Sequence, residues 1–339
     1  MPITIKDVAR VAAVSVGTVS NVLNGREAQY NEETYQRVMQ VVRDLDYHPN
    51  RHARSLARRA SHVIGVSFAE QERSLSGNPY VADILDGMMQ SASENSYNIA
   101  LFTRLRSGEE SRYLAQFLDR SIDGLCLIAP SLTNPLPNDL LLTHLPSIVV
   151  GADYPNTPIS WIDVDNEEGA RMAVEYLAEQ GHARIAHLAG EKAQRSALLR
   201  YSGYCSTLAK YNLPNDPNFV YWCNYDKETG YRYAKRLLKR EDRPTAIFAA
   251  DDLIALGAME AARELGLRVP EDVSLIGFDD IPKAQDSQPS LTTIQQPMRE
   301  IGVRAAEWLI SQASVRRGEP LQLLIKPTLI VRGSVSRRG

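Results

Sequence analysis

Two short stretches near the N-terminus decide how this chain begins to fold: TIKDVA at Thr4–Ala9 and VSVGTVSNVLN at Val14–Asn24. Thr4 and Asp7 are spaced as a short capping box, in which each side chain can bond to the other residue's backbone N–H. Ser15 is placed to cap a second helix in the same way. The two stretches therefore predict two short helices joined by a tight turn.

Apolar residues recur along residues 1–46 at the spacing of helices that bury one face. A third helix is predicted from the cap Asn31 to about Asp46, with two acidic residues in its first turn, where the helix dipole favours them. Three short helices that each bury one side can close a small core together. The predicted core positions are Ile5, Val8, Ala9, Ala12, Val19, Val22, Leu23, Tyr35, Val38, Val42 and Leu45.

Charge is unevenly distributed along the chain. The 339 residues include 38 Lys and Arg and 41 Asp and Glu, but residues 1–60 hold nine basic against six acidic side chains. Residues 50–60 contain four arginines and no acid. A basic run is often only a solvated surface, but one placed between two domains is typical of a segment that neutralises phosphates. The N-terminal part is therefore predicted to bind nucleic acid.

The segment after the third helix has the character of a linker. Pro49 predicts the end of that helix, because the residue before a proline is disfavoured in helical conformation. Residues 50–57 can form one or two turns with Ala53, Leu56 and Ala57 on one side. Helices shorter than ~12 residues are marginal in water, so we expect this segment to become ordered only with a partner.

The order of these features resembles the LacI/GalR family of bacterial transcription regulators, whose N-terminal pattern is T-x-x-D-V-A followed by V-S-x-x-T-V-S-x-V-[LIV]-N. The matching residues are Thr4, Asp7, Val8, Ala9, Val14, Ser15, Thr18, Val19, Ser20, Val22, Leu23 and Asn24. The resemblance implies a helix-turn-helix DNA-binding domain at residues 1–48, whose second helix enters the major groove, and a hinge segment at residues 49–60. The alternative is an ordinary core of three amphipathic helices.

The family's base contacts come from the two positions after the serine cap and one position a turn later, here Val16, Gly17 and Asn21. Asn21 can pair in bidentate fashion with adenine, and Val16 can offer methyl groups to thymine. Leu56 is implied to insert between base pairs in the minor groove; the alternative is that it packs on the second domain. The residues expected to contact DNA are Thr4, Ser15, Val16, Gly17, Thr18, Ser20, Asn21, Asn24, Tyr47, Asn50, Arg54, Leu56 and Arg58.

From His62 onward, short apolar runs alternate with helical patterns. This alternation indicates an α/β fold of parallel sheets covered on both faces. About 280 residues are too many for one such sheet, so we expect two lobes with a ligand cleft beyond the carboxyl ends of their strands. The predicted strands are Val63–Val66, Ile99–Phe102, Leu125–Ile128, Ile148–Val150, Ile185–Leu188, Ala246–Ala249 and Val273–Ile276, and the predicted helices are Tyr80–Ala92, Glu109–Leu118, Glu167–Glu179, Arg200–Lys210, Thr229–Leu238 and Leu253–Leu265.

This larger part resembles the periplasmic-binding-protein fold that forms the effector domain of the same family. The stretches that carry the resemblance are DVDN at 163–166, PTAIF at 244–248, GLRVPEDVSLIGFDD at 266–280 and LTTI at 291–294. It implies an effector-binding and dimerisation domain at residues 61–339. We expect the first lobe at about 61–160 and 292–322, and the second at about 161–291 and 323–339.

Family positions that bind the effector can be carried over to Tyr80, Ser196, Arg200, Tyr225, Asp251 and Asp279. Arg200, expected to open a helix, matches an arginine that grips the effector with its fork of donors. Asp279 matches an acid that accepts hydroxyl or N–H protons, and the alternative for this pair is an interlobe salt bridge. Asp251 stands where the family often has Asn or Ser, and residues 191–195 depart from better-known members. The resemblance implies a sugar or a nucleoside as the effector.

Cysteine content and the N-terminus bear on the compartment. Three cysteines, an odd number in a large chain, predict reduced thiols and a cytoplasmic protein. The first helix pattern begins at once, so we expect no signal peptide, and no charge-free apolar run is long enough to span a membrane.

An α/β enzyme and a secreted transport-type binding protein are the alternative functions. The sequence has no G-x-S-x-G, H-E-x-x-H, Walker or G-x-G-x-x-G motif, and its six histidines lack metal spacing, so we expect no catalytic site, metal or cofactor. A transport protein has no use for a DNA-binding head. The expected function is a repressor that binds a pseudo-palindromic operator in double-stranded DNA as a homodimer, without a C-terminal tetramerising helix. We expect its effector to act as an inducer rather than a corepressor.

Overall fold

The chain forms two units, an all-helical head within residues 1–61 and a larger α/β unit within residues 62–339. The computed structural model describes residues 3–48, 60–68, 77–103, 110–313 and 319–338. Each unit has its own hydrophobic core. Of the predicted hinge segment, residues 49–59 lie outside the described part of the chain.

The head is built from helices that begin at side-chain caps. They are α1 (Ile5–Val11), α2 (Val16–Leu23) and α3 (Glu32–Asp44), with a short 3₁₀ turn at Glu27–Gln29. Ser15 Oγ accepts the N–H of Thr18 at 3.0 Å, and Asn31 Oδ1 accepts the N–H of Thr34 at 2.9 Å. Both predicted caps are therefore present, since each accepts a backbone donor that has no partner inside its helix.

The core of the head is close to the predicted one. Its buried members are Val8, Ala9, Ala12, Val19, Val22, Val38, Val41 and Tyr47. The other predicted positions, Ile5, Leu23, Tyr35, Val42 and Leu45, are partly buried against them. Val41 was not predicted, and α3 ends at Asp44, two residues before the predicted end, because the backbone of Asp46 turns to a positive φ of 46°.

The α/β unit alternates strands and helices along its length. The strands are β1 (Val63–Phe68), β2 (Asn98–Phe102), β3 (Gly124–Ile128), β4 (Ser147–Val150), β5 (Ser160–Val164), β6 (Ile185–Ala189), β7 (Val220–Trp222), β8 (Ala246–Ala249), β9 (Ser274–Asp279), β10 (Thr292–Gln295), β11 (Gln322–Ile325) and β12 (Thr328–Ile330). The helices are α4 (Pro79–Glu94), α5 (Glu110–Phe117), α6 (Leu136–Leu141), α7 (Asn166–Glu179), α8 (Arg195–Lys210), α9 (Lys227–Leu238), α10 (Asp252–Glu264), α11 (Pro282–Asp286) and α12 (Met298–Gln312).

These strands form two six-stranded sheets, one in each lobe. The first has the order β11-β5-β4-β3-β1-β2 with every neighbour parallel, and the second has the order β12-β10-β9-β8-β6-β7. Among the described strands, only β12 runs antiparallel, against β10. Strands such as β3 and β6 are buried at every position, as parallel strands covered on both faces must be. The predicted α/β architecture with parallel sheets is confirmed.

The chain crosses between the lobes after β5, after β10 and after β11, a few residues later than expected at each crossing. Residues 161–164 were expected in the second lobe, but β5 pairs with β4 and β11 of the first sheet. Residues 292–295 were expected in the first lobe, but β10 pairs with β9 of the second sheet. Residues 323–325 continue β11 in the first sheet. Strand pairing, which hydropathy does not reveal, sets these boundaries.

Helices α4 and α12 pack together in the first lobe at two glycines. A Cβ on Gly87 would lie 2.0 Å from the carbonyl oxygen of Arg299, and a Cβ on Gly302 would lie 2.0 Å from the carbonyl oxygen of Ile84. Backbone atoms cannot give way as a flexible side chain can. Glycine is therefore required at both positions for the helices to approach this closely.

Gly302→Ala is expected to destabilise the α/β unit by about 1–3 kcal/mol, the usual cost of overpacking. The clash with backbone atoms should outweigh the gain in helix propensity, which is about 1 kcal/mol. Glu307→Ala, at an exposed position of the same helix, should change stability by less than about 0.5 kcal/mol. Thermal unfolding followed by circular dichroism measures both. A Gly302→Ala variant as stable as wild type would contradict this close packing.

Candidate functional site

The exposed face of α2 carries the residues predicted to read bases. Val16 is 41% exposed and Gly17 is also exposed, whereas Ser20 and Asn21 are half-buried one turn later. The opposite side of the helix is buried in the head core. A helix with one small polar face and one buried face can enter a major groove with its N-terminal residues leading. The individual base contacts stay predictions.

Other predicted DNA contacts take part in capping. The carboxylate of Asp7 accepts the hydroxyl of Thr4 at 2.7 Å and its N–H at 3.0 Å, and these bonds hold the pKa of Asp7 below its ordinary value. Ser15 Oγ and Thr18 Oγ1 lie 2.9 Å apart. These side chains fix the N-terminal ends of α1 and α2, and helix N-termini are favourable places for a DNA phosphate.

The remaining predicted DNA residues are less accessible or are not described. Asn24 caps the C-terminal end of α2, and its amide donates to the carbonyl of Ser20 at 2.6 Å. Tyr47 is only 9% exposed and packs in the head core, which makes it a packing residue here. The predicted contacts Asn50, Arg54, Leu56 and Arg58 lie outside the described residues.

A cavity of about 670 Å³ lies in the α/β unit at the carboxyl ends of strands from both sheets. This is where ligands bind in open parallel sheets. The structure brings all six predicted effector residues to its lining: Tyr80 from the first lobe, and Ser196, Arg200, Tyr225, Asp251 and Asp279 from the second. The cavity is therefore the candidate ligand site.

Arg200 lies at the floor of this cavity and is only 4% exposed. Its Nε donates to Asn166 Oδ1 at 2.8 Å, and its Nη1 donates to the carbonyl of Ala250. The guanidinium stacks 3.6 Å from the ring centre of Phe278, and its Nη1 lies 3.9 Å from Asp279 Oδ1. Arg200 and Asp279 belong to the same lobe, so the alternative of an interlobe salt bridge is wrong.

The N-terminal end of α8 also differs from the prediction. The helix begins at Arg195, with Gln194 as its N-cap, so Arg200 lies in the second turn and does not open the helix. Residues 196–199 continue the helical pattern without a breaker, which explains the longer helix. The extra turn places Ser196 one turn before Arg200 on the side that faces the cavity.

The end of β9 has a strained backbone. Asp279 and Asp280 have φ values of 117° and 62°, a region that costs non-glycine residues about 1–3 kcal/mol each. Gln296 donates to Asp279 Oδ1, and Arg332 pairs with Asp280 at 2.6 Å. These partners offset the strain and hold the Asp279 carboxylate at the cavity.

Two tyrosines line the cavity, one from each lobe, and each packs against a glycine that leaves room for it. The hydroxyl of Tyr225 lies 3.1 Å from Ser196 Oγ, and a Cβ on Gly190 would lie 2.1 Å from its ring. A Cβ on Gly151 would lie 2.4 Å from the hydroxyl oxygen of Tyr80. Burial raises the pKa of both phenols, to about 12 for Tyr225, so they remain neutral hydrogen-bonding groups.

Several lining residues were missed by the sequence prediction. They include Asn78, Asp163, Gln194, Asp226, Arg232 and Gln296. Asp163 and Gln296 each lie at or directly after the carboxyl end of a strand, which is the signal that could have found them. The side-chain oxygens Oε1 of Gln194 and Gln296 are buried and accept no hydrogen bond from any described residue. They are acceptors that a ligand can satisfy.

Burial dominates the electrostatics of the cavity floor. It raises the pKa of Asp163 to about 7, against the hydrogen bond from Val164 N–H and the charge of Arg200. It also raises the pKa values of Asp251 and Asp279, again against Arg200. Carboxyl groups with raised pKa values near neutral pH are typical of functional sites.

The two lobes touch directly beside the cavity. Arg195 Nε lies 2.6 Å from Asp153 Oδ1, and its Nη2 donates to Oδ2 at 3.3 Å. The backbone N–H of Leu132 donates to the carbonyl of Ala193 at 2.8 Å. Both contacts use residues 191–195, so this segment of the second lobe links directly to the first lobe beside the cavity.

Two classes of feature are absent from the described residues. No group of three or more His, Cys, Asp or Glu side chains in them could hold a metal ion. No helix among them is long and apolar enough to cross a membrane.

A helix-turn-helix head followed by a two-lobed domain with a cleft defines the class of ligand-responsive DNA-binding regulators. Residues 4–50 match the family model described as bacterial regulatory proteins, lacI family, and residues 174–335 match a periplasmic binding protein-like domain. The transcriptional regulator CelR of Thermobifida fusca is 33% identical over 98% of both chains, and the probable repressor ExuR of Bacillus subtilis is 34% identical over 99% of both. The chain belongs to the LacI family.

Solved structures agree with this assignment. A CelR–cellobiose complex is 30% identical, with a TM-score of 0.76 over 98% of this chain and 99% of that one. A lac repressor dimer bound to operator and the anti-inducer ONPF is 30% identical, with a TM-score of 0.85 over 99% and 100%. The likeness covers both the head and the two-lobed domain.

Stability should depend on pH through Asp163. Its pKa in the folded protein, about 7, lies above the ordinary 3.8. The folded state thus binds more protons at this group, and the contribution of Asp163 to stability falls as the pH rises from about 4 to about 7. Asp163→Asn should remove this contribution, so that the stability difference between variant and wild type changes by up to about 4 kcal/mol across the window.

Thermal unfolding at a series of pH values measures this difference. Asp286→Asn changes an exposed residue that does not line the cavity, so this variant should follow the wild-type curve. Parallel curves for Asp163→Asn and wild type would show that Asp163 does not titrate in this range.

Proposed function

We propose that the protein is a transcriptional repressor that binds a pseudo-palindromic operator as a homodimer. The observation that carries the proposal is the pairing of a helix-turn-helix head with a polar ligand cleft in one LacI-family chain. One short α2 reads few bases, so a two-fold dimer on a two-fold operator is needed for specificity. A repressor of chromosomal genes works in the cytoplasm, and no catalytic step is part of this proposal.

The effector in this proposal is a sugar that acts as an inducer. The cavity combines carboxylates, side-chain amides and two tyrosine rings, which suit hydroxyl groups and the apolar face of a sugar ring. The related CelR has been solved with cellobiose. Cellobiose is therefore the first compound to test, with other sugars and nucleosides beside it.

The effector acts by changing the angle between the lobes. Tyr80 and Asp163 lie on the first lobe, whereas Arg200 and Asp279 lie on the second. A ligand that bonds to both sets favours one closure of the cleft. A change in closure alters DNA affinity only if the two closure states bind DNA with different affinities. Ligand binding and DNA binding then change each other's affinity by the same coupling free energy.

Asn21→Ala should weaken operator binding by about 1–3 kcal/mol and relax base preference at one position in each half-site. The reason is the loss of its bidentate amide pair with adenine. Gln36→Ala is the matched control, because it removes an amide at an exposed position of α3. A selection from random DNA measures the preference, and an unchanged consensus for Asn21→Ala would refute the assignment.

Arg200→Ala should abolish the effect of the sugar on operator binding, because the variant loses the group that organises the cavity floor, while the head, which has its own core, still binds operator. Arg184→Ala is the control, because Arg184 is exposed and precedes β6 at the end opposite to the cavity. Fluorescence anisotropy with labelled operator measures both variants, and circular dichroism checks that they fold. A wild-type response from Arg200→Ala would show that the sensing site lies elsewhere.

A further inference from the structure

Five side chains with oxygens that can accept hydrogen bonds line the buried part of the cleft. The carboxylates of Asp163, Asp251 and Asp279 are 2%, 5% and 8% exposed, and all three line the cavity. The unsatisfied oxygens of Gln194 and Gln296 add two more acceptors. A ligand that satisfies this surface must bring donors, such as the hydroxyl groups of a sugar.

The cationic groups of the cavity are already engaged by the protein. Arg200 donates to Asn166 and to the carbonyl of Ala250 and lies beside Asp279. Arg232 is an exposed residue, and its guanidinium lies 5.2 Å from the ring centre of Tyr233. Arg200 therefore shares its charge with protein acceptors and Arg232 is exposed, so neither arginine is a buried cation reserved for a carboxylate of the ligand.

Asp251 occupies the place where an anionic ligand group would otherwise be favoured. It is the N-cap of α10, and its Oδ1 accepts the N–H of Ile254 at 2.7 Å. The N-terminus of a helix attracts anions, but here the protein's own carboxylate caps it, and Asp252 follows directly. Burial already raises the pKa of both carboxyl groups, so negative charge is disfavoured here, and a second anion would raise these pKa values further.

We infer that the cleft selects uncharged sugars and rejects carboxylated sugars, and that Asp251 is the residue that sets this discrimination. The inference rests on the proposed sugar-responsive function and names the charge class of its ligand. Asn would keep the cap of α10 and remove the ionisable group. Asp251→Asn should therefore admit the carboxylated counterpart of a sugar that wild type binds.

The test uses matched pairs of ligands with the full-length protein. Cellobiose is paired with cellobiouronate, its C6 carboxylate, D-glucose with D-glucuronate and D-galactose with D-galacturonate, and isothermal titration calorimetry measures each Kd. Wild type should bind at least one neutral member at least about tenfold tighter than its acid partner, since like charge in a buried site is strongly disfavoured. Asp251→Asn should bind that acid at least about tenfold tighter than wild type does. Asp286→Asn, which removes an exposed charge outside the cavity, should keep the wild-type ratio.

The outcomes separate this inference from the proposed function. Binding of a carboxylated sugar by wild type as tightly as its neutral partner would overturn the inference and leave a sugar-responsive repressor intact. An unchanged ratio in both Asp251→Asn and Asp251→Ser would overturn the role of Asp251. If wild type binds operator DNA but no compound of either kind, the sugar effector fails and the inference fails with it.

Discussion

The buried guanidinium of Arg200 is the group on which the geometry of the cleft depends. It donates to Asn166 at the start of α7 and to the carbonyl of Ala250 before α10, and it faces Asp279 at the end of β9. Asn166 in turn donates to Asp163 at the end of β5, at 2.9 Å. Because the chain crosses between the lobes from Asp163 to Asn166, this set of hydrogen bonds connects the floor of one lobe to the other. A buried cation is tolerated only with such partners.

In the proposed mechanism, this arrangement lets binding in the cavity change the angle between the lobes. A ligand that bonds to Asp163 competes with the hydrogen bond from Asn166, and a ligand that bonds to Asp279 competes with the one from Gln296. Asn166 and Gln296 both lie where the chain crosses between the lobes. The direct interlobe contact between Arg195 and Asp153, at 2.6 Å, is part of the closure that this structure has. In the proposed mechanism it breaks when the cleft opens. The pair is partly exposed, with 31% of the Arg195 side chain and 18% of the Asp153 side chain accessible, so solvent screens it in part. The equilibrium between states is therefore within reach of the free energy that a small ligand supplies.

Local signals in the sequence predicted the parts of the fold that depend on neighbouring residues. The caps Ser15 and Asn31 and the apolar strand β6 are of this kind, because a cap or a hydropathy pattern needs no distant partner. Strand β5 was missed because its sequence, SWIDV, has no continuous apolar run, although every residue is buried. The carboxylate of Asp163 accepts a hydrogen bond from Asn166, and Arg200 on α8 donates a hydrogen bond to Asn166. The effector residues came from the family resemblance, and their convergence required the tertiary fold.

The coupling between cleft and operator is the central claim, and reciprocal affinity tests it most directly. The measurement is the Kd of the tightest-binding sugar, by isothermal titration calorimetry, for the free protein and for the protein saturated with operator DNA. For an inducer, the account predicts weaker sugar binding in the operator complex, typically by about 5-fold to 150-fold, and the same factor must separate the operator Kd values with and without sugar. Equal sugar affinity in the free and operator-bound protein would contradict the account.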